Sequence, residues 1–238
     1  MTPPGTVSSM RKPPTRSAAA TIVRPARIGG GTLADPADLS RALLIAVAVL
    51  VGLDLLAMAA GEASWQLTRV FSLSREGNVP TWFSSLLWGI SAWCAFGCSR
   101  HGDAPARRIW MVLAAIFLAC SCDEVAMVHE TIGTICRRLL ALPKLSVLDV
   151  PVVLIGPVLV PAGVWLPQQI RKHAKLEPRA LRRLLIGVAA LAVAVAVDSV
   201  SDYLWSGQAS TTIHLSQVLE ESFELCGAVA ILTGVAFQ

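Results

Sequence analysis

The sequence predicts an all-α protein, a bundle of six transmembrane helices with both termini in the cytoplasm. Three observations predict it. Of the 238 residues, 54 % are hydrophobic and only 15 % charged, against roughly a quarter charged in soluble domains. The apolar residues fall in six long runs. The basic residues gather in alternate connections between those runs. This composition excludes a disordered chain, a disulfide-rich secreted module and an ordinary nucleic-acid-binding protein.

Residues 1–40 are rich in Pro, Ser, Ala, Gly and Arg and lack apolar periodicity. They read as a disordered cytoplasmic arm. Residues 41–238 form the membrane domain. A helix needs roughly 20 apolar residues to cross hydrocarbon about 30 Å thick. The runs Ala42–Ala60, Thr81–Cys98, Ile109–Val128, Val150–Pro167, Leu184–Trp205 and His214–Phe237 meet or approach that length. They are too long and continuous for barrel strands. In the first run, Ala57-Met58-Ala59 mimics a signal-peptide cleavage site. The 41 residues ahead of that run are far too many for an n-region, and Asp54 would interrupt the h-region.

The connections 61–80 and 131–148 mix apolar and charged residues and suit short interfacial helices. Pro151, Pro157, Pro161 and Pro167 predict a kinked fourth span. Trp82, Trp110, Trp165 and Trp205 lie near span ends, where an aromatic belt forms.

Orientation follows from the basic residues. Fifteen of the twenty lie in residues 11–41, the 100–108 connection and the 171–183 connection. Under the positive-inside rule these segments are cytoplasmic. The expected location is the cell inner (plasma) membrane, crossed several times. The net charge of +4 then describes topology rather than an anionic partner.

The acids are unevenly placed. Asp54 lies in the first span, Asp123 and Glu124 late in the third, and Asp198 and Asp202 late in the fifth. Glu220, Glu221 and Glu224 lie early in the sixth. His129 and Glu130 follow the third span, and His214 opens the sixth. With alternating span direction, all of them share one band in the outer leaflet. Helical spacing puts Asp123, Met127 and Glu130 on one face, and likewise Asp198 with Asp202. His214, Gln217, Glu221 and Glu224 form a stripe three turns long.

An ionised carboxylate in hydrocarbon costs about 2.5–3.5 kcal/mol. Eight of them must therefore face the bundle interior or water. The third, fifth and sixth spans hold no Lys or Arg among their acids. Like charges disfavour one another's ionised form, so protons or a metal cation are expected participants. Carboxylate and imidazole groups suit Fe, Mn, Zn or Ca. The expected ligands are Asp123, Glu124, His129, Glu130, His214, Glu221 and Glu224. Asp54, Asp198, Asp202 and Glu220 are expected as a second shell or proton relay. Asp54 taken alone also reads as a helix–helix hydrogen-bonding group. The Glu-x-x-His spacing of di-iron bundles is missing, so that motif is not assigned.

Of the six cysteines, five lie within spans and read as small apolar residues. Gly29-Gly30-Gly31 is no phosphate loop, and no nucleophile elbow is found.

Two segments carry a resemblance. Phe71 to Ser85 includes Arg75-Glu76-Gly77-Asn78-Val79-Pro80-Thr81-Trp82, and Asp123-Glu124 is followed by His129-Glu130 and later by Leu219-Glu220-Glu221 and Glu224. The chain thereby resembles a family of uncharacterised bacterial polytopic membrane proteins with DExxxxHE and LEExxE patterns. The resemblance covers roughly residues 40–238 and implies no activity. It implies that Glu76, Asn78 and Trp82 join the outer-face constellation.

Three functions stay open on the sequence. The first is a membrane metalloenzyme acting on a lipid or other hydrophobic substrate, with the metal site open to the outside. The second is a proton- or cation-coupled transporter. The third is a non-catalytic subunit of a larger membrane complex. The lipid bilayer is the expected partner and nucleic acid is not. Membrane-protein partners and a homo-oligomer are both compatible with the sequence.

Overall fold

A computed structural model describes residues 36–61, 65–139, 164–174, 176–205 and 210–238. Every regular element among them is helical. In chain order they are α1 (Pro36–Ala59), α2 (Trp65–Phe71), α3 (Val79–Ser99), α4 (Ala104–Ala126), α5 (Val128–Leu139), a π-helical turn (Ile170–Ala174), α6 (Pro178–Trp205) and α7 (Ser210–Ala236).

Local sequence explains where these helices begin. Pro36 opens α1, where a missing N–H is harmless, and Asp38 lies in its first turn. Asn78 caps α3 by accepting from the Thr81 amide, with Pro80 in the first turn. Asp103 caps α4 by accepting from the Ala106 amide at 3.0 Å. Such caps satisfy amides that the helix itself leaves unpaired.

The last helix organises the bundle. α7 packs against α6, α3 and α1, and α3 pairs with α4. Leu225, Ala228, Val229 and Leu232 of α7 share one apolar core with Leu87 and Trp88 of α3 and Leu113 and Phe117 of α4. Trp88 and Phe117 rings meet at 5.8 Å.

Two interfaces show how apolar helices find a fixed register without a hydrophobic drive between them. Between α6 and α7 the device is glycine. A Cβ on Gly187 would lie 2.6 Å from Ile231 and 2.8 Å from the Gly227 carbonyl oxygen. Farther along, one on Gly234 would lie 3.1 Å from the Ala180 carbonyl oxygen. The backbones therefore touch, in antiparallel register. Between α3 and α4 the device is serine. Ser85 Oγ donates to the Ser121 carbonyl at 2.9 Å, and Ser121 Oγ donates to the Ser85 carbonyl at 2.8 Å.

Three expectations are met only in part or are revised. Six spans are expected, but among the described residues three helices are long and apolar enough to cross a membrane: Ala37–Ala59, Ala104–Ala126 and Pro178–Ser201. Serines and tryptophans dilute α3, and Glu220, Glu221 and Glu224 interrupt α7. Most of the expected span Val150–Pro167, with Pro151, Pro157 and Pro161, lies outside the described residues, and Pro167 lies within them. Trp110 is 3 % exposed and belongs to the core rather than to an aromatic belt, because its side of α4 faces α3. Trp82 and Trp165 are exposed, and the side chain of Trp205 lies outside the described residues.

The third correction concerns the face shared by Asp123, Met127 and Glu130. α4 stops at Ala126, and Met127 adopts a left-handed conformation with φ 50° and ψ 40°. Its amide donates to the Asp123 carbonyl at 2.8 Å, closing the helix as an αL cap. The helical spacing that would join Asp123, Met127 and Glu130 on one face is interrupted there. A side chain in this conformation costs roughly 1–2 kcal/mol. Met127→Gly is therefore expected to stabilise the fold by up to about 1 kcal/mol, whereas β-branched Met127→Val should destabilise it. Thermal unfolding of the purified protein in detergent measures both.

Candidate functional site

The acids converge on one end of the bundle. That end is formed by the close of α1 and α4 and the start of α3 and α7. The opposite end joins the start of α6 to the close of α7, where the Glu177 amide donates to Gln238 Oε1 at 3.1 Å. Arg100 and Arg183 lie at that opposite end, over the rings of Phe96 and Phe237.

The segment between α2 and α3 covers the acid-bearing end, and Asn78 fixes its shape. Besides capping α3, its Nδ2 donates to the carbonyls of Ser72 and of Arg75. Gly77 supplies a backbone φ of 72°, which suits glycine. Ser72, Ser74 and Glu76 are thereby held above the first turn of α3, and Thr81 Oγ1 donates to Glu76 Oε2 at 3.4 Å. Loss of a cap costs about 1 kcal/mol, and Asn78 also anchors two carbonyls. Asn78→Ala is thus expected to destabilise by at least about 1 kcal/mol, read from the unfolding midpoint.

The first group at this end is carboxylate-rich. Ser84 Oγ of α3 donates to Glu124 Oε1 of α4 at 2.8 Å. Glu76 and Asp123 lie within electrostatic range of Glu124. Half-buried Glu221 of α7 feels Glu224, Glu220, Glu124 and Glu76. Carboxylates from α4, α7 and the segment before α3 therefore lie within electrostatic range of one another. Among the described residues, no three His, Cys, Asp or Glu side chains are grouped closely enough to hold a metal ion as they stand.

The second group is a chain of polar side chains. Asp54, 1 % exposed on α1, has Oδ2 3.2 Å from His214 Nε2 on α7. His214 Nδ1 lies 3.2 Å from Ser74 Oγ, and Ser74 Oγ lies 3.0 Å from Ser72 Oγ. The Asp54–His214 contact is close but poorly aligned. Among the described residues, the buried oxygens of Asp54 and Nε2 of His214 find no hydrogen-bond partner.

The expected site residues thus separate. Glu76, Asp123, Glu124, Glu220, Glu221 and Glu224 belong to the carboxylate group. Asp54 and His214 leave it and pair with each other. Asp198 is half-buried on α6, where its carbonyl accepts from Ser201 Oγ at 2.9 Å. The side chains of His129, Glu130 and Asp202 lie outside the described residues. Trp82 is exposed beside the α3 cap. Sequence reasoning missed Ser72, Ser74 and Ser84. All three fall within the segment from Phe71 to Ser85, and nothing distinguishes them there from neighbouring serines.

Fold and site together define an all-helical membrane protein with a carboxylate-rich end and a buried Asp–His pair. Residues 42–237 match a family described as Domain of unknown function (DUF8692), and the chain belongs to that family. No curated protein and no solved structure matches the chain.

Proposed function

We propose that this is a six-span protein of the bacterial inner membrane whose carboxylate end lies in the outer leaflet and binds a divalent metal cation. The convergence of Glu124 from α4 with Glu220, Glu221 and Glu224 from α7 carries this reading. Asp123 and the His129–Glu130 pair just beyond Met127 complete the proposed ligand set, with Glu76 and Asp198 behind it. His214 is left out, because its two ring nitrogens face Ser74 and Asp54. Fe, Mn, Zn and Ca all accept such oxygen-rich surroundings. The carboxylates have to close on the ion, since they are not grouped at ligating distance. Bound there, the cation offsets like charges that otherwise repel in a region of low dielectric.

The activity that fits is chemistry on a lipid or other hydrophobic substrate, with the metal acting as Lewis acid. Equilibrium dialysis of the purified protein against each of the four cations tests the site. Saturable binding of at least one cation at micromolar concentration is expected. Linear, non-saturating uptake of all four would remove the proposal.

A further inference from the structure

Beside the carboxylate group lies a second constellation that shares none of its proposed ligands. Asp54, His214 and Ser74 come from α1, α7 and the segment before α3, and they meet in a row. The carboxylate faces one ring nitrogen at 3.2 Å, and the serine hydroxyl faces the other at 3.2 Å. Buried polar groups are nearly always hydrogen-bonded, and an exception calls for an explanation. Here three atoms, the two oxygens of Asp54 and Nε2 of His214, are such exceptions.

A carboxylate, an imidazole and a hydroxyl in this order activate a nucleophile. The carboxylate orients the ring, the ring takes the hydroxyl proton, and the hydroxyl oxygen attacks. In serine proteases Nδ1 faces the carboxylate and Nε2 the serine. The order is reversed here, which the chemistry permits, since either ring nitrogen serves as base when the other is held, and the 3.2 Å contact with Asp54 has to align as substrate binds, as catalytic contacts commonly do. Ser72, fully buried, lies against the Ser74 hydroxyl at 3.0 Å and positions it.

An open groove of about 360 Å3 reaches His214 and is lined by Met58, Thr211, Ile213, His214 and Gln217. It sits where α1, a helix of membrane length, comes to its end at Ala59. With the membrane placement proposed above, a molecule entering there would place an apolar chain in hydrocarbon and its polar part at headgroup level.

We propose that Ser74 is a nucleophile activated by His214 and Asp54, and that it cleaves carboxylic esters bearing an apolar chain. Ser74 Oγ bonds to the ester carbonyl carbon while its proton passes to His214 Nδ1. The tetrahedral adduct collapses, the carbon–alkoxy bond breaks, and the departing oxygen takes the proton from His214. Water, deprotonated by the same ring, then attacks the acyl-Ser74 ester. The products are one carboxylic acid, one alcohol and free Ser74. The inference rests on the membrane placement proposed above, but not on the cation.

The test uses the full chain in lipid nanodiscs and a fluorophosphonate probe with an alkyl tail. Tryptic mass spectrometry should find the adduct on Ser74 of the wild-type protein, with or without EDTA. Ser74→Ala should abolish labelling, and His214→Gln and Asp54→Asn should each slow it by at least about tenfold. A monodisperse wild-type protein without adduct, or with the adduct on another serine, overturns the proposal. Unchanged rates in both the His214 and Asp54 variants do so as well. Persistence with EDTA separates this result from the cation titration, so either proposal can fail alone.

Discussion

Gly187→Leu is expected to unfold the bundle well below the wild-type midpoint. The position admits no side chain, because a Cβ there would already lie 2.8 Å from the Gly227 carbonyl oxygen. That neighbour is backbone and cannot swing aside, unlike the tip of Ile231. The helices must separate, and with them goes contact along the interface from Gly187 to Gly234. Overpacking a well-filled core typically costs about 1–3 kcal/mol. For a chain of this size that lowers the midpoint by roughly 2–4 °C per kcal/mol. A fall of roughly 2–12 °C is therefore expected in detergent melts. A methyl group added to Gly52 of α1 would meet nothing within 4 Å, so Gly52→Ala should leave the midpoint in place. Equal effects of the two substitutions would contradict the close α6–α7 contact.

Glu221→Gln is expected to remove most of the cation affinity. Glu221 feels Glu124 and Glu76 as well as its own neighbours on α7, so the substitution takes one charge from the centre of the group. Even outer-shell partners of a metal contribute about 10–100-fold in affinity, and a central carboxylate should contribute at least as much. A drop of at least about tenfold is expected, with Glu124→Gln close behind. Asp38→Asn provides the comparison. Asp38 lies at the opposite end of α1, exposed, with Arg41 3.4 Å away. It should leave the titration unchanged. Equal loss in all three variants would point to a general charge effect rather than a site.

The legible and illegible parts of this molecule divide along physical lines. Helix length in hydrocarbon is a hard requirement, so the apolar runs near α1, α4 and α6 could be read directly. α7 is harder to recognise as a span because Glu220, Glu221 and Glu224 break its apolar run. The clustering of acids at one end followed from alternating helix direction. The break at Met127 had no signal, since methionine has no preference for the left-handed region that a Gly or Asn would have advertised. The pairing of Asp54 with His214 was hidden for another reason. Neither residue has a sequence neighbour that marks its partner, and only helix packing reveals which polar groups meet. Ser74 and His214 stand 140 residues apart, and no local motif joins them. Asn78 was singled out by a resemblance alone. Its place as cap and loop anchor explains why an asparagine suits that position.

The central claim, a cation held by the carboxylates of α4 and α7, is tested most directly by elemental analysis of the full chain purified without chelators. About one equivalent of one metal per chain is expected, lost on dialysis against EDTA and regained on adding that metal back. Metal far below one equivalent, with no rebinding by the folded protein, would contradict it.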